Sequence, residues 1–327
     1  NMTPIKNKNL KKLNGGFRNL LKLAAATLIF SVTALVQADI NGFTIENAII
    51  PQDEILSGGP SKDGIPALFD PKFISAKDAH YLDSSDRVIG IKFDGIAKAY
   101  PINILNWHEV VNDEINNTFF AVTFCPLCGT GMVFSSEVPG HQLTFGVSGL
   151  LYNSDVLLYD KNTNSLWSQI LSKSVAGLMV NTNLELLPSV HTSWNDWLTN
   201  NPETLVLSRD TGYSRNYGRD PYSGYSTSKR LYFPAPSDSK EAKSFHPKET
   251  VFGLNINDTQ RAYPFSELDK AGAKIHDNVG GVNVIINWNN ASRSVTVMDE
   301  LGNNIPGIQG FYFAWVAFYP NTSIFYF

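Results

Sequence analysis

Two cysteines, Cys125 and Cys128, are the only ones in the chain, and they stand in Cys-Pro-Leu-Cys-Gly between two apolar runs that read as strands. Proline presets φ inside this turn, and the glycine after the second cysteine can take the left-handed conformation. Both sulfurs therefore fall on one side of a short loop. Three chemistries suit that geometry: a metal knuckle with thiolate ligands, a redox dithiol, or a small structural disulfide. A thioredoxin-type dithiol opens a long helix, which lowers the pKa of its first thiol. Here Gly129-Thr130-Gly131 and a strand-like run follow at once. That difference favours metal over thiol–disulfide exchange.

Two thiolates need further donors. His108 lies in ILNWHEVVND, seventeen residues before Cys125. A short helix from Pro101, a turn at Asn116-Asn117 and one returning strand can bring its imidazole beside the sulfurs. Such a Cys₂His set favours copper first and zinc second, and disfavours magnesium and calcium. Met132 could add a thioether and tilt the site toward copper, although core filling is the commoner use of methionine. Glu109 and Asp113 have helical i, i+4 spacing and read as an exposed face. His80, His141, His191, His246 and His276 read as surface or turn residues. A third function class is a small-ligand binding module, its pocket lined by Tyr152, Asn153 and Asp155 together with Arg215 and Tyr217. No pattern names a catalytic residue or a substrate.

The chain around these residues reads as exported. Lys6, Lys8, Lys11, Lys12, Arg18 and Lys22 form a basic leader, Leu23–Val36 supplies an apolar segment, and Val36-Gln37-Ala38 offers a cleavage site. The expectation is a signal peptide over 1–38, cleaved near Ala38, and a periplasmic or secreted mature chain. Six of the 26 Lys and Arg residues lie in that leader and none of the 30 acids does, so the remainder has 20 basic residues and a net charge of −10. So acidic a chain is a poor partner for nucleic acid. No later apolar stretch is long enough to span a bilayer. Two cysteines make no disulfide framework, so packing must supply the stability.

A loop-rich segment over 39–87, with a short helix expected near Ile74–Leu82 and Ser75 as its cap, leads to VIGIKFDGIAKAYP at 88–101. Two alternating runs flank Asp94-Gly95, a hairpin signal. The pattern returns as VFGLNINDTQRAYP at 251–264. NDEINNTFFAVTF (112–124) resembles HDNVGGVNVIINW (276–288), and WLTNNPET (197–204) resembles WVAFYPNT (315–322). These blocks imply two tandem, diverged, strand-rich repeats, 88–207 and 251–327, joined by a connector over 208–250. The expected fold is mainly β with short helices, an α+β unit. Seven residues after the shared Ala-Tyr-Pro, the first repeat has His108 and the second has Ala271, and the second has no CPLCG. The first repeat carries the chemistry, and the second reads as its structural partner.

ILNWHEVVND, FCPLCGTGMVF, FGVSGLLYNSDVLLYDKNTNSLWSQ, GYSRNYGRDPY and FYFAWVAFYPNTSIF together resemble the DUF3179 family of exported bacterial proteins. The resemblance covers nearly all of 88–325. It places His108, Cys125 and Cys128 inside the family's own motifs, with the other five histidines outside them, and it implies no particular activity.

Overall fold

Six two-residue turns among the described residues have both residues at positive φ: Asn41-Gly42, Asp94-Gly95, Asn116-Asn117, Asn153-Ser154, Asn257-Asp258 and Gly280-Gly281. This turn matches the right-handed twist of the strands it joins, and Asn, Asp and Gly tolerate it best. The turns fix the strand pairs of the fold locally. The computed structural model describes residues 39–327; the expected leader over 1–38 lies outside them.

The N-terminal segment holds β1 (Asp39–Ile40), β2 (Phe43–Thr44), β3 (Leu56–Ser57) and β4 (Phe73–Ser75). Next come β5 (Arg87–Phe93), β6 (Ile96–Pro101), α1 (Ile102–His108), β7 (Val110–Ile115), β8 (Thr118–Cys125) and β9 (Thr130–Ser135). An insertion follows with β10 (Glu137–Val138), β11 (His141–Gln142), β12 (Phe145–Tyr152), β13 (Asp155–Asp160), β14 (Leu166–Ser168), β15 (Lys173–Ala176) and β16 (Leu186–Leu187). The first segment closes with β17 (Val190–Ser193), α2 (Trp194–Asn200) and β18 (Leu205–Leu207). The second contains β19 (Thr250–Ile256), β20 (Thr259–Pro264), α3 (Phe265–Ala271), β21 (Lys274–Val279), β22 (Val282–Asn289), β23 (Ser294–Asp299), β24 (Ile308–Phe311), α4 (Tyr312–Phe318) and β25 (Ser323–Ile324). Over the described residues the protein is mainly β with four short helices, as its alternating apolar runs require. No described helix is long and apolar enough to cross a membrane.

The two segments run through one order of elements. Val88 faces Pro101 and Phe93 faces Ile96 in the first hairpin; Val251 faces Pro264 and Ile256 faces Thr259 in the second. In each, a later strand pairs antiparallel with the first hairpin strand and a last strand pairs parallel with the second. The repeated Gly, Trp and Thr have one packing reason. A Cβ on Gly90 would lie 2.3 Å from the Trp197 ring, and one on Gly253 would lie 2.1 Å from Trp315. Each indole N–H then donates to a threonine, Trp197 to Thr204 and Trp315 to Thr322, both at 2.9 Å. The paired tyrosines match as well: Tyr100 donates to Asp113 at 2.6 Å, and Tyr263 to Asp277 at 2.9 Å.

Strands of both segments share one sheet, in the order β25-β20-β19-β24-β9-β8-β7 with β16 also on β9. A five-stranded sheet runs β17-β5-β6-β18-β4, and the insertion builds another, β15-β14-β13-β12-β3. The β8–β9 hairpin is buried on both faces. Ala121, Cys125, Met132 and Phe134 pack with Trp167 and Trp315, while Phe120, Val122, Phe124 and Val133 join a second cluster with Ile89 and Leu105. Two expectations change here. The helix near Ile74–Leu82 is instead β4 and a single 3-10 turn over Ala76–Asp78, and the Ser75 hydroxyl bonds the Asp78 side chain rather than a backbone N–H. Glu109 and Asp113 do not share a helix: α1 ends at His108, and Asp113 lies in β7.

Candidate metal centre

Cys125 is the last residue of β8, and its Cα partner in the ladder is Thr130, the first of β9. Pro126, Leu127, Cys128 and Gly129 form the loop between them, with Gly129 at φ 62°. The Cys128 carbonyl accepts a bond from the Phe311 N–H at 2.7 Å, so the second segment holds the turn in place. Cys125 is 1% exposed and Cys128 fully buried.

The third group comes from the insertion. The Asn153-Ser154 turn reverses the chain from β12 into β13, and Asp155 is the first residue of β13. The two sulfurs and one Asp155 carboxylate oxygen all lie within 4.8 Å of one another. Cys125 Sγ also reaches the Ser154 carbonyl at 3.8 Å. The Ile170 N–H donates to Asp155 Oδ2 at 3.1 Å. Thr130 Oγ1 sits 2.6 Å from Gln169 Oε1 and 3.3 Å from Asp155 Oδ1. One hydroxyl has one proton to give, and the shorter contact takes it. Gln169 in turn donates to Thr123 Oγ1 at 2.8 Å, so a polar network fixes the wall behind the carboxylate.

A fourth acid lies outside this 4.8 Å group but feels the charge of Asp155 and Cys125. Glu109 caps α1 at φ 60°, a left-handed conformation that costs a residue with a Cβ about 1–2 kcal/mol. Its backbone is tied on both sides, its N–H to Leu105 O and its carbonyl to the Phe124 N–H, each at 2.8 Å. The residue is only 7% exposed, and its carboxyl oxygens are not among the polar atoms shut off from solvent without a partner. Burial pushes Glu109 up to about 8, helped by the charge of Asp155. Burial likewise lifts Asp155 to about 7 against the bonds it accepts. The Cys125 thiol is raised by burial, and the Cys128 thiol is raised well above the ordinary range by burial and by Cys125. Like charges ~4 Å apart repel by about 4 kcal/mol at an effective dielectric constant near 20. Cys125, Cys128 and Asp155, packed this closely, must hold protons, or hold a cation.

His108 does not join them. Its Nδ1 donates to the Pro66 carbonyl at 2.7 Å, and its Nε2 accepts from the Tyr217 hydroxyl at 2.6 Å. A carbonyl can only accept, so Nδ1 carries the proton and both ring nitrogens are occupied. Burial lowers the His108 pKa and keeps the ring neutral. The ring pins the connector, through Tyr217, to the end of α1. Met132 is fully buried on the same strand face as Thr130 and fills core.

The expected pocket of Tyr152, Asn153, Asp155, Arg215 and Tyr217 divides into separate places. Tyr152 packs edge-on against Phe318 with ring centroids 5.5 Å apart, and Asn153 is buried in its turn. Arg215 borders a hollow with Pro66 and Trp107. Asp155 alone of the five reaches the sulfurs. A different cleft, of about 430 Å³, opens beside Pro126 and Gly129, and none of the five lines it.

The sequence model of DUF3179, described as a protein of unknown function, matches residues 62–304. The chain belongs to the DUF3179 family. No curated protein and no solved structure matches it. Cys125, Cys128, Asp155 and Glu109 all fall inside the DUF3179 match, whereas α4 lies beyond its end. Asp155 as a partner of the sulfurs could have been suspected from Asn-Ser-Asp after an apolar strand, a tight turn that presents the next side chain. Glu109 had a signal too: Gly272 ends the matching helix of the second segment, at φ 97°.

Proposed function

We propose that this DUF3179 protein is an exported metal-binding protein whose ion is held by Cys125, Cys128 and Asp155, with Glu109 as the fourth donor. The convergence of the two sulfurs and the Asp155 carboxylate within 4.8 Å, all buried, carries the reading. Thiolates with carboxylates form a borderline donor set. It suits tetrahedral Zn²⁺ better than Cu(I), whose preference for sulfur and imidazole is not met once His108 is engaged elsewhere. Zinc therefore replaces copper as the first choice. Bound metal would displace the protons that the four acids otherwise hold, and it would neutralise charge that the apolar surroundings cannot. The basic leader and apolar segment of 1–38 support export.

The thiol–disulfide reading uses the same sulfurs. It has weaker support because Cys128 is followed by Gly129 and then β9, with no helix to stabilise a thiolate. Elemental analysis of protein purified from the periplasm without chelator separates the two. About one equivalent of zinc, absent from the Cys125→Ser/Cys128→Ser variant, is expected. Metal-free protein with a quantitatively formed Cys125–Cys128 disulfide would overturn the metal reading.

A further inference from the structure

The cleft beside the cysteine turn is built from corresponding positions of the two segments. By register, Arg87 corresponds to Thr250, Gly129 to Arg293 and His191 to Gln309, and all six line it. It therefore sits where the two halves meet, with the cysteine turn on one side and the matching turn of the second segment on the other. Ligand sites favour such junctions.

The polar groups around it are incompletely satisfied. Arg87 donates Nη1 to the Ser292 carbonyl and Nη2 to the carbonyls of His191 and Arg293, at 2.8 and 3.0 Å. Of five guanidinium N–H donors, Nε and one on Nη1 are left over. Among the described residues no carboxylate lies within ion-pair distance of Arg87. His191 Nδ1 and Tyr225 Oη are shut from solvent with no partner among the described residues, and Tyr225 is only 2% exposed. Each orphan of this kind costs about 1–3 kcal/mol. The position of Tyr225 is not slack: the Lys248 ammonium stands 3.8 Å from its ring centroid and donates to the carbonyls of Tyr225 and Arg230 at 3.0 Å. Apolar walls come from Phe124, Phe311 and Tyr222.

We propose that this cleft binds a small aromatic carboxylate, its ring between Phe124, Phe311 and Tyr222 and its carboxylate on the free N–H donors of Arg87. His191 and Tyr225 complete the wall around it. Asp220 also lines the cleft, but its Oδ1 accepts from the Tyr222 N–H at 2.8 Å and it forms no ion pair with Arg87. A ligand carboxylate answers the guanidinium, and its several lone pairs can serve more than one donor. The site stands independently of the metal, because none of the groups that hold the ligand is a metal ligand.

Benzoate and its neutral isostere benzamide are the probes, titrated calorimetrically into the full-length mature protein with and without zinc. Saturable one-site benzoate binding is expected in both forms, with benzamide weaker by about tenfold or more, a difference of about 1.4 kcal/mol. Arg87→Gln should erase the preference for the acid. Because Arg87 also ties down the second segment's turn, Ser226→Trp provides a second variant. Ser226 is exposed at the cleft rim, and an indole there should block benzoate while leaving Arg87 and the zinc stoichiometry unchanged. Equal binding of the two probes, or no saturable benzoate binding at millimolar concentration, overturns the assignment. So does benzoate binding undiminished by Ser226→Trp.

Discussion

Two turns of this protein occupy corresponding places and do different things. Cys125 faces Thr130 across one turn, and Asn289 faces Ser294 across the other, each with four residues between. The last of the four is left-handed in both, Gly129 at φ 62° and Arg293 at φ 49°. In the second turn Asn289 Oδ1 accepts from the Ser292 N–H at 3.2 Å, and Ser292 shares a hydroxyl contact with Ser294 at 2.7 Å. An amide and a hydroxyl satisfy that turn from within. Cys125 and Cys128 stand at the equivalent positions, and within the turn their sulfurs interact only with each other and with the Cys128 N–H. Their sulfurs face a carboxylate supplied by β13, an insertion that the second segment lacks. The turn geometry is thus scaffold, and the chemistry was added by three side chains plus the insertion that brings Asp155.

The largest effect is expected from moving the thiols. Asn289→Cys/Ser292→Cys copies the cysteine pair into the second turn without a carboxylate opposite. If Asp155 matters as argued, the engineered turn gains no second tight zinc site, while Cys125→Ser/Cys128→Ser removes the native one. Zinc content and competition with a chromogenic chelator report both outcomes. Two equivalents of tightly held zinc in the engineered protein would show that the turn alone suffices.

A finer cut replaces the carboxylates singly. Asp155→Asn should weaken zinc binding by about 10–100-fold, the usual loss for a group in or beside the coordination shell. Glu109→Gly copies Gly272 and acts in two directions. It removes a donor, so affinity falls, but it also relieves a left-handed φ. The metal-free protein should gain about 1 kcal/mol, after the entropy cost of glycine is set against the strain. Chemical denaturation with and without zinc checks the pair of signs. A metal-free protein destabilised by Glu109→Gly would mean that the carboxyl stabilises the fold by itself.

What could be read in the sequence follows the range of the interaction. The hairpins, their Asp-Gly and Asn-Asp turns and the cysteine loop were legible because each is settled within a few residues. The shared Gly, Trp and Thr were legible as a pattern, although the Gly–Trp contact behind them was not. His108 was placed with the sulfurs because it is near them in the chain, yet its partners Pro66 and Tyr217 lie 42 and 109 residues away. Asp155 was seen as a pocket residue and not as a companion of Cys125, because the pairing of β12 with β13 decides where it points. Glu109 was misread by extending a helix one turn too far; the left-handed cap that stops it is recognisable only beside Gly272.

The shared packing allows a prediction that should not distinguish the segments. Gly90→Ala and Gly253→Ala each push a methyl group into an indole ring, at 2.3 and 2.1 Å. Overpacking of this kind costs about 1–3 kcal/mol. Both variants should lose similar stability, by thermal denaturation, and the zinc stoichiometry of the folded fraction should stay unchanged. A large loss at one glycine only would mean that one tryptophan can move aside where the other cannot.

The smallest expected effect concerns His191, which corresponds to Gln309 in the second segment. Burial, and then the charge of Arg87, hold the His191 pKa well below its ordinary value. Its ring stands edge-on to Phe124 with centroids 6.2 Å apart, which leaves an added charge poorly solvated. Below about pH 6.5 the unfolded chain takes up a proton that the folded protein refuses. The contribution of this group to stability is therefore complete above about pH 6.5 and is lost as pH falls toward the depressed folded pKa. Over that window the slope approaches about 1.4 kcal/mol per pH unit for a single group. His191→Gln, which copies the second segment, should remove that part of the acid dependence and leave stability near pH 8 almost unchanged. Urea unfolding of the metal-free protein at several pH values between about 5 and 8 measures the slope difference directly. Parallel curves for the wild type and His191→Gln would mean that the ring gains its proton as easily folded as unfolded, and the desolvation argued for it would be wrong.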